Sequence, residues 1–150
     1  MIKQATIANL EVLTKLFEEY RKFYEKDAAY DTAKKFLQER IENSESVVYL
    51  VYNEKEEVVG FTQLYPLFSS TRMKRLWLLN DLYVVPTERG KGFSKALIER
   101  AKQLASDTNA SEIMLETAKT NDIGNQLYPS VGFKLGEDFN WYHYKVINNE

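Results

Sequence analysis

Along the chain, apolar residues first recur at helical spacing. Leu10, Leu13, Leu16, Phe17, Tyr20, Phe23 and Tyr24 fall on one side, with Glu18, Glu19, Arg21 and Lys22 on the other, which predicts an amphipathic helix from about Asn9. Asp31 reads as the N-cap of a second helix that runs through Ile41 and turns Phe36, Leu37 and Ile41 inward. The period then changes. S-V-V-Y-L-V-Y, a polar E-K-E-E connection and V-V-G-F-T-Q-L-Y-P-L-F read as an antiparallel hairpin. Ser69, Ser70 and Thr71 form a loop before a third strand, Leu76 to Val85. Ile2 to Ala5 is a short opening strand.

That third strand is apolar except at Asn80 and Asp81. It stops at Pro86 and turns through Arg89, Gly90, Lys91 and Gly92 into a helix whose buried face carries Leu97, Ala101, Leu104 and Ala105. Glycines at alternate positions let successive N–H groups point into one concavity, and the first helical turn adds unpaired donors and the positive end of a dipole. Such a turn suits a phosphate or pyrophosphate; the alternative is an ordinary strand-to-helix loop. E-I-M-L-E-T follows as a strand that the helical crossover can lay parallel to its predecessor. A short helix over Asn121 to Ser130 closes at Gly132, and Phe133 to Leu135 and Trp141 to Val146 are the last two expected strands. The order β, α, α, β, β, β, α, β, α, β, β describes one mixed sheet with helices on its faces.

Composition narrows the function. A chain of 150 residues, 44% of them hydrophobic, is the size of one domain with a real core. A formal charge of −2, with Lys and Arg scattered among Asp and Glu, points away from nucleic acid. No apolar run approaches the roughly 18 to 20 residues that span a bilayer, and M-I-K-Q-A-T has no signal-peptide core, so the expectation is a cytoplasmic protein with no membrane partner. There is no cysteine, which excludes disulfides, thiolate metal sites and a cysteine nucleophile. The lone His143 cannot build a histidine metal site and reads as a strand residue; no metal is expected.

V-P-T-E-R-G-K-G-F-S followed by a helix resembles the acyl-CoA-binding motif of the GNAT superfamily of N-acetyltransferases: Arg or Gln, two residues, Gly, one residue, then Gly or Ala. Here these are Arg89, Gly92 and Ser94, the serine being a departure that narrows the space slightly and adds a hydroxyl. N-D-I-G-N-Q-L-Y-P-S-V-G-F resembles the family's second block, with Gly124 in place of the usual Ala and Pro129 after Tyr128. The resemblance implies a single N-acetyltransferase domain over 1–150 and an α+β fold. That fold is a mostly antiparallel mixed sheet of about six to seven strands, with a parallel splayed pair in its middle and about four helices.

The resemblance also implies acetyl-CoA as acyl donor and assigns roles. Arg89, Gly90, Lys91, Gly92, Phe93 and Ser94 hold its pyrophosphate. Backbone groups of Leu82, Tyr83, Val84 and Val85 hold the pantetheine arm and polarise the thioester. Asn121 touches the cofactor arm or, alternatively, is only a helix N-cap. Tyr128 is the general acid for the leaving thiolate, a phenol of pKa about 10 serving a thiol of about 8.5 to 10; the alternative is packing beside Gly-Phe.

N-D-L-Y-V is similar to the E-D-F-F-V type of segment in polyamine N-acetyltransferases, but Asn80 replaces the glutamate and an amide is no base. Asp81, a carboxylate inside a strand, is a candidate base, a contact for a cationic substrate, or the partner of an arginine such as Arg75. On the first two helices Glu18, Glu19, Glu25, Asp27 and Asp31 interleave with Tyr20, Phe23, Tyr24 and Tyr30. Asn80, Asp81 and Glu19 are therefore candidate substrate contacts for a polyamine-like or lysine-like amine; a solvated helix face is the other reading. Without cysteine, direct transfer in a ternary complex is favoured.

Aminoglycosides and protein N-termini stay open as acceptors, as does a non-catalytic acyl-CoA sensor of the same fold. A dinucleotide-binding loop fails because Lys95 stands where the third glycine belongs. Trp141, Tyr142 and Tyr144 suggest a strand that pairs across a homodimer.

Overall fold

In a computed structural model that describes residues 1–147, the chain forms two compact units, Met1–Glu116 and the segment from Thr117 onward. The first holds β1 (Ile2–Gln4), α1 (Leu10–Phe23), α2 (Tyr30–Glu42), β2 (Val47–Tyr52), β3 (Val58–Ser69), β4 (Lys74–Val84), α3 (Phe93–Asp107) and β5 (Glu112–Met114). The strands lie in the order β1-β2-β3-β4-β5. All neighbours are antiparallel except β4 and β5.

Helices cover both sheet faces, and β2 shows why its sequence does not alternate. Val48, Tyr49, Leu50 and Val51 are all buried, as expected of a strand with no solvent side. Leu10, Leu13 and Leu16 of α1 and Leu37 of α2 pack with Val48, Leu50, Phe61 and Tyr83 on one face. Leu97, Ile98 and Ala101 of α3 are fully buried over β2, β3 and β4 on the other. A capping box precedes α1: Thr6 accepts from the Ala8 N–H, and Asn9 accepts from the Thr6 N–H at 2.9 Å.

The start of α2 differs from expectation. Asp31 is not its N-cap; the helix begins at Tyr30 with Ala29 in the cap position. The Ala29 N–H is satisfied from another element, by the Glu18 carboxylate of α1 at 2.8 Å. Asp31 sits in the first turn, where its charge complements the dipole.

Among the described residues the sheet has five strands rather than six to seven. Phe133 to Leu135 and Trp141 to Val146 carry no strand ladder among the described residues. Their aromatic, alternating pattern fits a pleated half-buried surface, and that fit gives a strand only where a neighbour supplies the ladder. For the same reason the parallel pair sits at the sheet edge, not in its middle: among the described residues no strand lies beyond β5. The second unit contains α4 (Asp122–Ser130), and Gly132 takes φ 99° just past its end.

Candidate functional site

The glycine turn has the geometry its spacing demands. Gly90 and Gly92 adopt φ 77° and 86°, conformations costly for a residue with a Cβ, and α3 begins immediately after Gly92. A Cβ at either position would meet nothing within 4 Å, so the space above the turn is open. Among the described residues, no protein acceptor takes the backbone N–H of any residue from 90 to 95. Consecutive donors at the N-terminus of a fifteen-residue helix fit an anionic diphosphate. Lys91 pairs with Glu88 at 2.7 Å beside the turn. Arg89 is more constrained: its Nε donates to the Val84 carbonyl at 3.0 Å, and its guanidinium lies over the rings of Phe23 and Tyr83.

Beyond Leu78, β4 has no ladder partner on its β5 side among the described residues. β5 pairs only with Leu76, Trp77 and Leu78. Backbone groups alternate in direction along a strand. Since the Val85 N–H bonds Val59 of the β3 side at 2.9 Å, the polar groups of Leu82 and Val84 point to the opposite, unpaired edge. The Val84 carbonyl there receives Arg89. Beneath this edge Gly60 is pinned, because a Cβ on it would lie 2.6 Å from the Tyr83 carbonyl oxygen.

A β-bulge separates the halves of β4. Gln63 pairs with Asp81 and Leu64 with Leu79, leaving Asn80 as the extra residue. Asn80 is exposed and Asp81 is buried. The Asp81 carboxylate accepts from Gln63 Nε2 at 2.8 Å, from Asn80 Nδ2 at 3.2 Å and from the Tyr20 hydroxyl. Burial raises its pKa above the ordinary carboxylate value despite these donors. Arg75 is not its partner, as one reading of the sequence had it; that guanidinium lies over the rings of Phe68 and Trp77.

Tyr20 connects Asp81 to the surface. With Phe17, Arg21, Tyr24 and Lys26 it lines an open groove of about 340 Å³. Its ring meets Phe61, Tyr83 and Tyr24 edge to face. Glu19 reaches the Tyr83 hydroxyl at 3.3 Å. Glu18 is spent on Arg21 and the Ala29 N–H, whereas Asp31 is exposed.

In the second unit, Asn121 caps α4: its Oδ1 accepts from the Gly124 N–H at 3.1 Å and its Nδ2 donates to Thr117 at 2.8 Å. That fold-back explains Gly124, since a Cβ there would sit 2.5 Å from Asn121 Nδ2. Tyr128 packs edge to face on Phe133 at 5.9 Å, and its carbonyl accepts the N–H groups of Val131 and Phe133 that end the helix.

Sequence reading passed over Gln63, Tyr20 as the partner of Asp81, Gly60, and the groove cations Arg21 and Lys26. Gln63 left a signal: an amide inside an apolar strand run needs a buried partner. Lys26, outside any periodic element, left none.

Residues 10–133 match the acetyltransferase (GNAT) family. The uncharacterized N-acetyltransferase YhfO of Bacillus subtilis (strain 168) is 41% identical over 143 residues, spanning 95% of this chain and 94% of the relative. A thialysine N-epsilon-acetyltransferase of Bos taurus is 28% identical over 89 residues, 59% of this chain and 52% of that protein. The crystal structure of a probable acetyltransferase superposes with a TM-score of 0.95 at 36% identity, covering 99% of both chains. The chain belongs to the GNAT family, has its mixed α/β fold, and is an acyl-CoA-dependent acetyltransferase. No helix among the described residues is long and apolar enough to cross a membrane.

Proposed function

We propose that the protein transfers the acetyl group of acetyl-CoA directly to a primary amine of a small cationic acceptor, polyamine-like or lysine-like, within a single catalytic domain. The observation that carries this reading is the buried Asp81 carboxylate, hydrogen-bonded to a tyrosine that lines a surface groove on the same strand that offers an open backbone edge. A thialysine acetyltransferase among the relatives supports an amine on an extended side chain.

The N–H donors of residues 90 to 95 bind the pyrophosphate, with Lys91 beside them. The outward N–H groups of Leu82 and Val84 hold the acyl-donor arm and stabilise charge on the thioester oxygen. The acceptor arrives as ammonium and gives one proton to Asp81 through the Tyr20 hydroxyl or solvent. The amine nitrogen then forms the C–N bond as the C–S bond breaks. The nitrogen sheds a second proton to solvent, and the thiolate takes one from Tyr128, which water reprotonates. The pKa raised by burial makes Asp81 a better proton acceptor than an ordinary carboxylate. Glu19 steadies Tyr83, and Asn80 presents its amide at the bulge.

A panel of diamines, polyamines, lysine derivatives, aminoglycosides and peptides with free N-termini, assayed with acetyl-CoA by released thiol, tests the reading. Turnover confined to small cationic amines is expected. Turnover only on peptides or aminoglycosides removes the proposed acceptor class, and acetyl-CoA binding without transfer to any amine makes the protein a sensor.

A further inference from the structure

The groove is chemically different from what its sequence neighbourhood promised. It is lined by three rings and two cations, and no carboxylate lines it. Acids close by in sequence are engaged or elsewhere: Glu18 holds Arg21 and the Ala29 N–H, and Glu19 bonds the Tyr83 hydroxyl. Glu25 and Asp27 flank Lys26 in sequence but do not line the groove.

Two features make the cations available. Arg21 is anchored through Nη1 alone, to Glu18 at 2.6 Å and to the Asp27 carbonyl at 2.9 Å. Among the described residues its Nε and Nη2 have no protein acceptor, and Lys26 has no carboxylate within ion-pair distance. A fixed guanidinium edge and an exposed ammonium beside aromatic walls form a receptor for a carboxylate. They repel a ligand whose every charged group is positive.

We infer that the acceptor carries a carboxylate as well as its amine, that is, an amino acid or a close analogue, and that Lys26 and Arg21 read the carboxylate. The inference rests on the acetyl-transfer reading and chooses the lysine-like over the polyamine-like branch of it. The amine end lies toward Tyr20 and Asp81; the acid end lies toward Lys26. About 340 Å³ is at the small end of ligand sites and suits a molecule of that size.

Matched pairs test it: lysine against cadaverine, and phenylalanine against phenethylamine, each pair differing by the carboxylate, with lysine amide as a third comparison. The expected result is a kcat/KM about tenfold or more higher for the acid of the preferred pair, the scale of one charge-assisted hydrogen bond. Lys26→Glu, an exposed position, should erase that preference, read as the ratio of kcat/KM within each pair. Equal or better use of the carboxylate-free amines, or a preference untouched by Lys26→Glu, overturns the inference and leaves acetyl transfer intact. Calorimetric binding of the same pairs to CoA-loaded protein separates the failures. Thiol release absent with every amine but binding that still favours the acids would refute transfer and retain the carboxylate site; binding without preference for the acid refutes the site.

Discussion

The donor and acceptor regions proposed above are built from different parts of the polypeptide. On the donor side the main chain supplies the donors: the N–H groups of residues 90 to 95 and the outward edge of β4 at Leu82 and Val84. On the acceptor side the chemistry belongs to side chains gathered from α1, β3 and β4: Tyr20, Gln63 and Asp81. A donor site made of backbone tolerates side-chain change as long as φ/ψ is kept, whereas an acceptor site made of side chains changes specificity with single substitutions.

The sharpest way to break this contrast is Asp81→Asn. Turnover should fall by about 10² to 10⁴ with acetyl-CoA affinity retained; equal loss of affinity would mean the two regions are not separable. Stability gives an independent check with a definite sign. Burial raises the folded pKa of Asp81, so the folded state binds more protons than the unfolded chain, and this group lowers stability as pH rises from the unfolded value through the folded one. Compared with the variant, the wild type should be less stable at neutral pH, and the gap should close on acidification, read by thermal melts across pH. A gap that widens in acid contradicts the assignment.

Tyr128→Phe tests the proton to the thiolate. About a hundredfold loss of turnover with unchanged acetyl-CoA binding supports the acid role, and unchanged turnover reduces Tyr128 to its packing on Phe133. Gly60→Ala probes the backbone edge from below. A Cβ 2.6 Å from the Tyr83 carbonyl must displace β4, so about 1–3 kcal/mol of stability should be lost in denaturant melts, together with donor affinity. Gly92→Ala is milder. The strain of φ 86° should raise KM for acetyl-CoA by about tenfold, reflecting about 1–2 kcal/mol, and leave the acceptor KM alone; a change confined to the acceptor would reverse the assignment of the regions.

The two regions were also unequally legible from sequence. The glycine turn is local: R-G-K-G-F-S encodes its own positive φ angles, so its geometry and the start of α3 followed from spacing. The α1 helix with its buried Leu10, Leu13 and Leu16, and the β2–β3 hairpin, followed from periodicity for the same reason, although Phe23 and Tyr24 at the end of the expected stripe are exposed. What escaped were pairings across distance. The Ala29 N–H is met by Glu18 eleven positions back, which moved the start of α2 away from Asp31. Asp81 finds Gln63 only through the register of β3 on β4, and that register is itself offset by the bulge at Asn80. The aromatic run from Trp141 reads as strand because pattern reports what a residue could pack against, not whether a neighbouring ladder exists.

The most direct test of the account varies acetyl-CoA and the preferred amine together and follows released thiol in the steady state. Direct transfer onto an amine held by Tyr20 and Asp81, while the donor rests on the β4 edge, predicts thiol release that depends on amine and double-reciprocal lines that intersect. Thiol release that ignores the amine, or parallel lines that report an acyl-enzyme, would contradict it.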